Sequence, residues 1–191
     1  QFEDTDLDGN YLPIGSFIPE DNVAYELTII YENETYKSST TKVKSTPIIE
    51  VVQGDKTLFT GNEIEINVTL QDDENEENYY SFDFSNNNFS LIEDRFFNGQ
   101  IYDVTNFYEE GEIELPATVS IKMSGITKDY FTYFRTLQNQ SGQSGGGPFQ
   151  TIPSSLLGNI VNTTNSNNFP LGYFHIGETD VYALDLIEKE D

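Results

Sequence analysis

Cysteine and tryptophan are absent from this 191-residue chain, and histidine and methionine occur once each. Without cysteine there is no disulfide framework, no thiolate metal site and no thiol nucleophile. With a single histidine, acyl-transfer triads have no obvious members. The missing tryptophan removes the strongest stacking platform for sugars. Basic residues are scarce as well: nine Lys and Arg stand against 33 Asp and Glu, giving a net charge of −24. Phosphate binding needs a basic footprint, so this balance excludes nucleic acid and disfavours anionic lipid surfaces. It favours solubility, divalent cations or cationic partners. No apolar run approaches the roughly 18–20 residues that span a bilayer.

Charge is missing locally too. From Thr136 to Gly177 there is no Asp, Glu, Lys or Arg, and His175 is the only side chain of a type that titrates near neutral pH. A neutral stretch rich in Gly, Asn, Pro and aromatics, inside so acidic a protein, is either a self-packed loop or a surface that meets something else. Residues 141–170 read as a long neutral loop, with apolar Phe149, Ile152, Leu156, Leu157, Ile160 and Val161 arguing that much of it packs down. The triple glycine at 145–147 lacks the Lys and Ser/Thr of a phosphate loop, so no nucleotide cofactor is expected.

Alternation dominates the rest. Val23, Tyr25, Leu27, Ile29 and Tyr31 recur at every second position, as do Ile64, Ile66, Val68 and Leu70. Tyr80, Phe82 and Phe84 repeat the pattern, then Val119, Ile121 and Met123. Period two in β-branched and aromatic residues predicts half-buried strands. Turn residues separate them at Asn33-Glu34, Gly54-Asp55 and Gly61-Asn62, and Asn98-Gly99 reads as a two-residue hairpin. One helix is predicted over about 128–140. Thr127 is its N-cap, Asp129 suits the first turn, and Tyr130, Tyr133, Phe134 and Leu137 form an apolar face.

The sequence changes character at 43–48, which places a boundary near residue 45. Residues 1–45 read as the C-terminal part of an Ig-like or transthyretin-like sandwich, and 46–191 as a larger antiparallel β-sandwich-like domain with the one helix. Three strands in 45 residues are marginal alone. Gln1 opens on a turn-like acidic segment, so a leader and any lipid-attachment cysteine are expected upstream.

Two acidic groups invite a cation. Asp4, Asp6 and Asp8, followed by Gly9, match the first half of a calcium loop, in which alternate carboxylates face one centre. The bidentate Glu of that loop is missing, since Gly15 stands there; an acidic turn built on Asp8-Gly9 explains the same residues. Asp72, Asp73, Glu74, Glu76 and Glu77 read as a solvated loop whose charges repel one another. Acids are so abundant that sequence singles out no pair for glycoside hydrolysis.

A series of short motifs carries more. Asn78-Tyr79-Tyr80, then Asp94 to Gln100, then Tyr130 to Gln140, Pro148-Phe149, Pro153, Asn159-Ile160 and Leu171-Gly172-Tyr173-Phe174 fall in a familiar order. Together they resemble a Bacteroidota family of outer-membrane lipoproteins known only as a domain of unknown function. The resemblance implies a lipid-anchored cell-surface protein working beside a TonB-dependent receptor, with no catalytic residues to carry over. We therefore expect a non-enzymatic accessory subunit of an outer-membrane β-barrel, meeting the membrane only through an upstream anchor. Phe149, Ile152, Tyr173, Phe174 and His175 are its candidate partner contacts. The alternative is a free-standing module binding a glycan, a peptide or a calcium-dependent ligand.

Overall fold

A computed structural model describes residues 1–141 and 156–188. The protein is mainly β with a single helix among the described residues, and its body is a sandwich of two antiparallel sheets. One sheet holds β5 (Ile48–Gln53), β6 (Ile64–Gln71) and β9 (Ile101–Tyr108), in that order. The other runs β13 (Thr179–Leu186), β10 (Ala117–Ile126), β7 (Tyr79–Asp83), β8 (Phe89–Glu93). Each period-two set noted in these strands faces inward. Ile66, Val68 and Leu70 of β6 meet Tyr80 and Phe82 of β7 and Ile121 and Met123 of β10 in one core, all but fully buried. Alternation thus does what its period dictates, and puts every second side chain in the interlayer space.

The sheets are also stitched along one flank. The Ile48 N–H donates to Asp180 Oδ2 at 2.7 Å. Gln53 and Ile187 exchange two hydrogen bonds, amide to carbonyl at 2.9 Å and N–H to amide oxygen at 3.0 Å.

Helix α1 (Lys128–Ser141) lies on the outer face of the second sheet. Thr127 caps it as predicted, its hydroxyl accepting the Tyr130 N–H at 3.1 Å. Tyr79 points outward where Tyr80 points inward, and its ring packs on Phe131 at 5.2 Å in a small second core with Ile126. The helical aromatics therefore serve packing between helix and sheet.

Asn98-Gly99 does not close a hairpin. β8 pairs with β7 and β9 pairs with β6, so the turn carries the chain from one sheet to the other after a single 3-10 turn at Asp94–Phe96. Gly99 has the positive φ the dipeptide signals, +72°. What holds it is its N–H, which donates to Asp72 Oδ2 at 2.9 Å. The left-handed residue was legible, but its partner strand was not.

In the first 45 residues, β1 (Phe2–Glu3) pairs with β2 (Leu12–Pro13), and β3 (Ala24–Tyr31) forms a hairpin with β4 (Glu34–Val43) through Glu32 and Asn33, both at positive φ. This sheet takes two short strands from the far end of the sequence. β11 (Val161–Asn162) joins β4 antiparallel, opposite β3, and β12 (Ile176–Gly177) lies parallel to the end of β4.

Candidate functional site

The charge-free stretch is the natural place to look, and its described half, 156–177, is a loop folded back on itself. Asn159 links the two limbs: its amide donates to the Phe174 carbonyl at 2.8 Å and its oxygen accepts the Phe174 N–H at 2.7 Å. Further along, Asn162 Nδ2 donates to the Asn168 carbonyl at 2.8 Å. Gly158 passes so close to Gly172 that a Cβ on it would overlap the Gly172 carbonyl. Asparagine suits this work, because one side chain offers both a donor and an acceptor to backbone in irregular conformation.

One carboxylate receives the loop on the front sheet, the one formed by β3, β4, β11 and β12. Glu34, the first residue of β4, accepts Asn162 Nδ2 at 2.8 Å, Asn165 Nδ2 at 3.0 Å, Asn168 Nδ2 at 2.5 Å and the Tyr36 hydroxyl at 2.8 Å. These donors, the Tyr36 hydroxyl foremost, hold its pKa down to about 2. A single ionised acid thus organises a segment that has none of its own.

The second limb returns across α1 through rings. Tyr173 meets Tyr130 at 5.2 Å and Tyr133 at 5.0 Å, and His175 stacks on Tyr130 at 4.9 Å. The Tyr133 hydroxyl donates to the Leu171 carbonyl at 2.5 Å. His175 Nε2 donates to the Gly125 carbonyl at 3.1 Å, while Nδ1 is buried with no partner among the described residues. Burial pushes its pKa down, so the imidazole is neutral. His175 precedes β12 rather than lying in a strand.

Of the candidate contacts, Tyr173, Phe174 and His175 are half-buried and engaged with this chain's own helix and loop. Phe149 and Ile152 lie outside the described residues. Leu157 and Val161, expected among the residues that pack the loop down, are instead left in solvent by the fold-back, together with Phe169 and Leu171. Leu157 is 58% exposed and Val161 61% on the first limb, Phe169 50% and Leu171 57% on the second. Their signal is apolar residues between polar ones with no period, which gives no face until the fold-back is known.

Asp4, Asp6 and Asp8 do converge, each offering a carboxylate oxygen within 4.8 Å of the others'. Their loop also uses them itself. Asp4 accepts the N–H groups of Asp8 at 3.2 Å and Gly9 at 3.0 Å, and Asp8 accepts both the N–H and the amide of Asn10 at 2.7 Å. The Asn10 bonds hold the Asp8 carboxyl below its ordinary range. Three oxygens at this spacing are compatible with a calcium ion's partial shell, the rest coming from water or a partner.

The 72–77 acids do not gather to a common centre. Asp72 is buried instead, and accepts the Tyr80 hydroxyl at 2.7 Å as well as the Gly99 N–H. Buried Asp94 accepts the Asn78 N–H at 2.7 Å, and desolvation raises its pKa. Glu63, 6% exposed, accepts four successive backbone N–H groups, those of Leu58, Phe59, Thr60 and Gly61. These bonds, that of Thr60 first, hold its pKa at about 2. A depressed folded pKa contributes stability that is present above the unfolded value and lost as pH falls through the folded one. We expect stability to fall between about pH 4.5 and 2, and Glu63→Gln to shallow that slope, in urea titrations at stepped pH. An unchanged slope would mean that the carboxylate is not ionised in the folded protein.

No curated protein and no solved structure matches the chain. A family model does, over residues 1–182, spanning the front sheet, the sandwich, the helix and the folded-back loop. The chain belongs to the family described as Domain of unknown function (DUF4249).

Proposed function

We propose that this protein is a non-enzymatic lipoprotein of the Bacteroidota cell surface, acting as accessory subunit of an outer-membrane β-barrel of the TonB-dependent receptor type. An upstream lipid anchor would hold it at the outer membrane. The observation that carries this reading is the uncharged folded-back loop, which sets Leu157, Val161, Phe169 and Leu171 in solvent on a protein of net charge −24. Charge depletion with apolar and aromatic side chains is the composition of interface centres, and the acidic remainder suits the solvated rim. The buried acids support a role without catalysis: Glu63, Asp72 and Asp94 are committed to backbone and tyrosine donors that hold loops in place.

The test is gentle detergent extraction of the native membrane, affinity capture of the protein and mass spectrometry of what accompanies it. A stoichiometric β-barrel is expected, and its recovery should drop when Leu157 and Leu171 are both replaced by Asp. Capture of the protein alone, under conditions that preserve other membrane complexes, overturns the reading.

A second reading, a free-standing module for a glycan, peptide or calcium-dependent ligand, is favoured by the convergence of Asp4, Asp6 and Asp8. On that reading a calcium titration by calorimetry gives a saturable signal that Asp6→Asn removes. A flat titration ends its calcium-dependent form.

A further inference from the structure

The loop between β5 and β6 combines two properties. Its backbone is braced from within, and its largest side chain is left wholly in water. The bracing centres on Glu63. Oε1 accepts the N–H groups of Phe59 at 3.0 Å and Thr60 at 2.9 Å, and Oε2 those of Leu58 at 3.0 Å and Gly61 at 3.1 Å. Successive N–H groups curled around one point form the concavity that ordinarily receives an external anion. Here the chain supplies the anion itself, two residues beyond the turn that Gly61 makes at a φ of +85°.

Other bonds fix the loop to its surroundings. The Lys56 N–H donates to Glu65 Oε2 at 2.9 Å at the base. Asn62 Nδ2 donates to Glu110 Oε1 at 2.9 Å, tying the tip to the connection after β9. With its N–H groups turned inward the loop carries its side chains outward. Phe59 is 99% exposed and Leu58 50%.

An aromatic side chain held clear of its own protein gains nothing for the fold. Bracing the backbone beneath it removes in advance the ordering cost that a flexible loop would meet on binding. Aromatic anchors that fill a pocket on the partner dominate many protein interfaces. The surrounding charge selects the partner. Glu110 lies beside the tip and Asp55 at the base, and Lys56, the one cation of residues 54–63, is paired with Glu65 at 3.5 Å. An anionic bilayer surface repels such a site. A protein pocket edged by Lys or Arg complements it.

We propose that Phe59, on its Glu63-braced loop, is the anchor of a docking surface for a protein partner that offers an apolar socket rimmed by basic residues. This deepens the accessory-subunit reading, on which it rests only for there being a protein partner.

The experiment replaces Phe59 with photoreactive p-benzoylphenylalanine in the protein expressed in its own cells, with exposed Asn75, in the loop beyond the opposite end of β6, replaced likewise as a control position. Irradiation should join position 59 to one discrete protein and position 75 to none in common with it. Adding Glu63→Gln should reduce that adduct about tenfold or more, the scale of a lost interface anchor. Because Glu63→Gln can weaken the fold, Asn62→Ala, which frees only the tie to Glu110, should reduce the adduct at an unchanged unfolding temperature. Products with lipid alone, no adduct, or the same adduct from both positions overturn the proposal. An adduct indifferent to both loop variants overturns the bracing. If the joined protein is not a β-barrel, the docking surface stands and the accessory-subunit reading falls. If a β-barrel co-purifies but never joins position 59, the reverse holds.

Discussion

Phe82→Ala should lower the free energy of unfolding by about 3–5 kcal/mol, seen as a fall in the urea midpoint at constant slope. Phe82 has no solvent exposure and stacks on Phe84 with ring centroids 5.7 Å apart. Its strand is flanked by β10 and β8, so its backbone is held at Met123 on one side and Ser90 on the other. Neither neighbour can move in to fill the space without breaking a ladder. Transfer and cavity terms therefore both apply. A domain of this size has a net stability of about 5–15 kcal/mol, so one side chain carries a large share. Phe82→Leu, which keeps most of the volume, should cost no more than about 1.5 kcal/mol. If the two variants cost the same, the interlayer space is loosely packed and the account of the core is wrong.

Gly125→Ala should act elsewhere, loosening the front sheet from the sandwich at a cost of about 1–3 kcal/mol. Gly125 lies in β10, where the Lys44 backbone crosses it, and a Cβ there would overlap the Lys44 carbonyl. Its own backbone is fully engaged: the N–H donates to the Glu178 carbonyl at 3.1 Å and the carbonyl accepts His175 Nε2 at 3.1 Å. The Glu178 N–H in turn donates to the Val43 carbonyl at 2.8 Å. Around this crossing Lys42 pairs with Glu178 and Asp21, both at 2.6 Å. Hydrogen exchange is the measurement. Amides of 34–43 and 176–178 should lose protection while those of Ile66 and Val68 keep theirs. Uniform loss would show that front sheet and sandwich unfold as one unit.

Local rules were enough for β3, β6, β7 and β10 and for the helix. Ile64 to Leu70 and Val119 to Met123 each alternate because one face is buried, and Thr127 announces the helix with its own side chain; Val23 to Tyr31 alternates as well, yet Val23, Ile29 and Tyr31 stand exposed. The inward-facing set Tyr80, Phe82 and Phe84 was also legible, although Tyr79 on the outer face was not distinguished from it. What escaped depends on distant partners. Nothing near Asn98-Gly99 says that Asp72 will hold the turn. Nothing near Glu34 says that three asparagines more than a hundred residues away will converge on it. Glu63 looks like one acid among many until four N–H groups are seen around it. A boundary near residue 45 marks a real change in composition. Hydrogen bonding ignores it, because strands 161–162 and 176–177 belong to the sheet of 24–43. Side chains that satisfy irregular backbone have no period, and period is what a sequence displays.

The open flank of β4 sets an order of events during synthesis. The strand leaves the ribosome more than a hundred residues before Val161 and Asn162 are made. At typical elongation rates that interval is on the order of 10 s. For that time a ten-residue strand has one edge without its eventual neighbours, in the arrangement most prone to pairing with another molecule. The newborn chain is therefore most vulnerable to self-association once β4 has emerged and before residues 161–177 have followed, and holding factors that act in that interval should raise its yield.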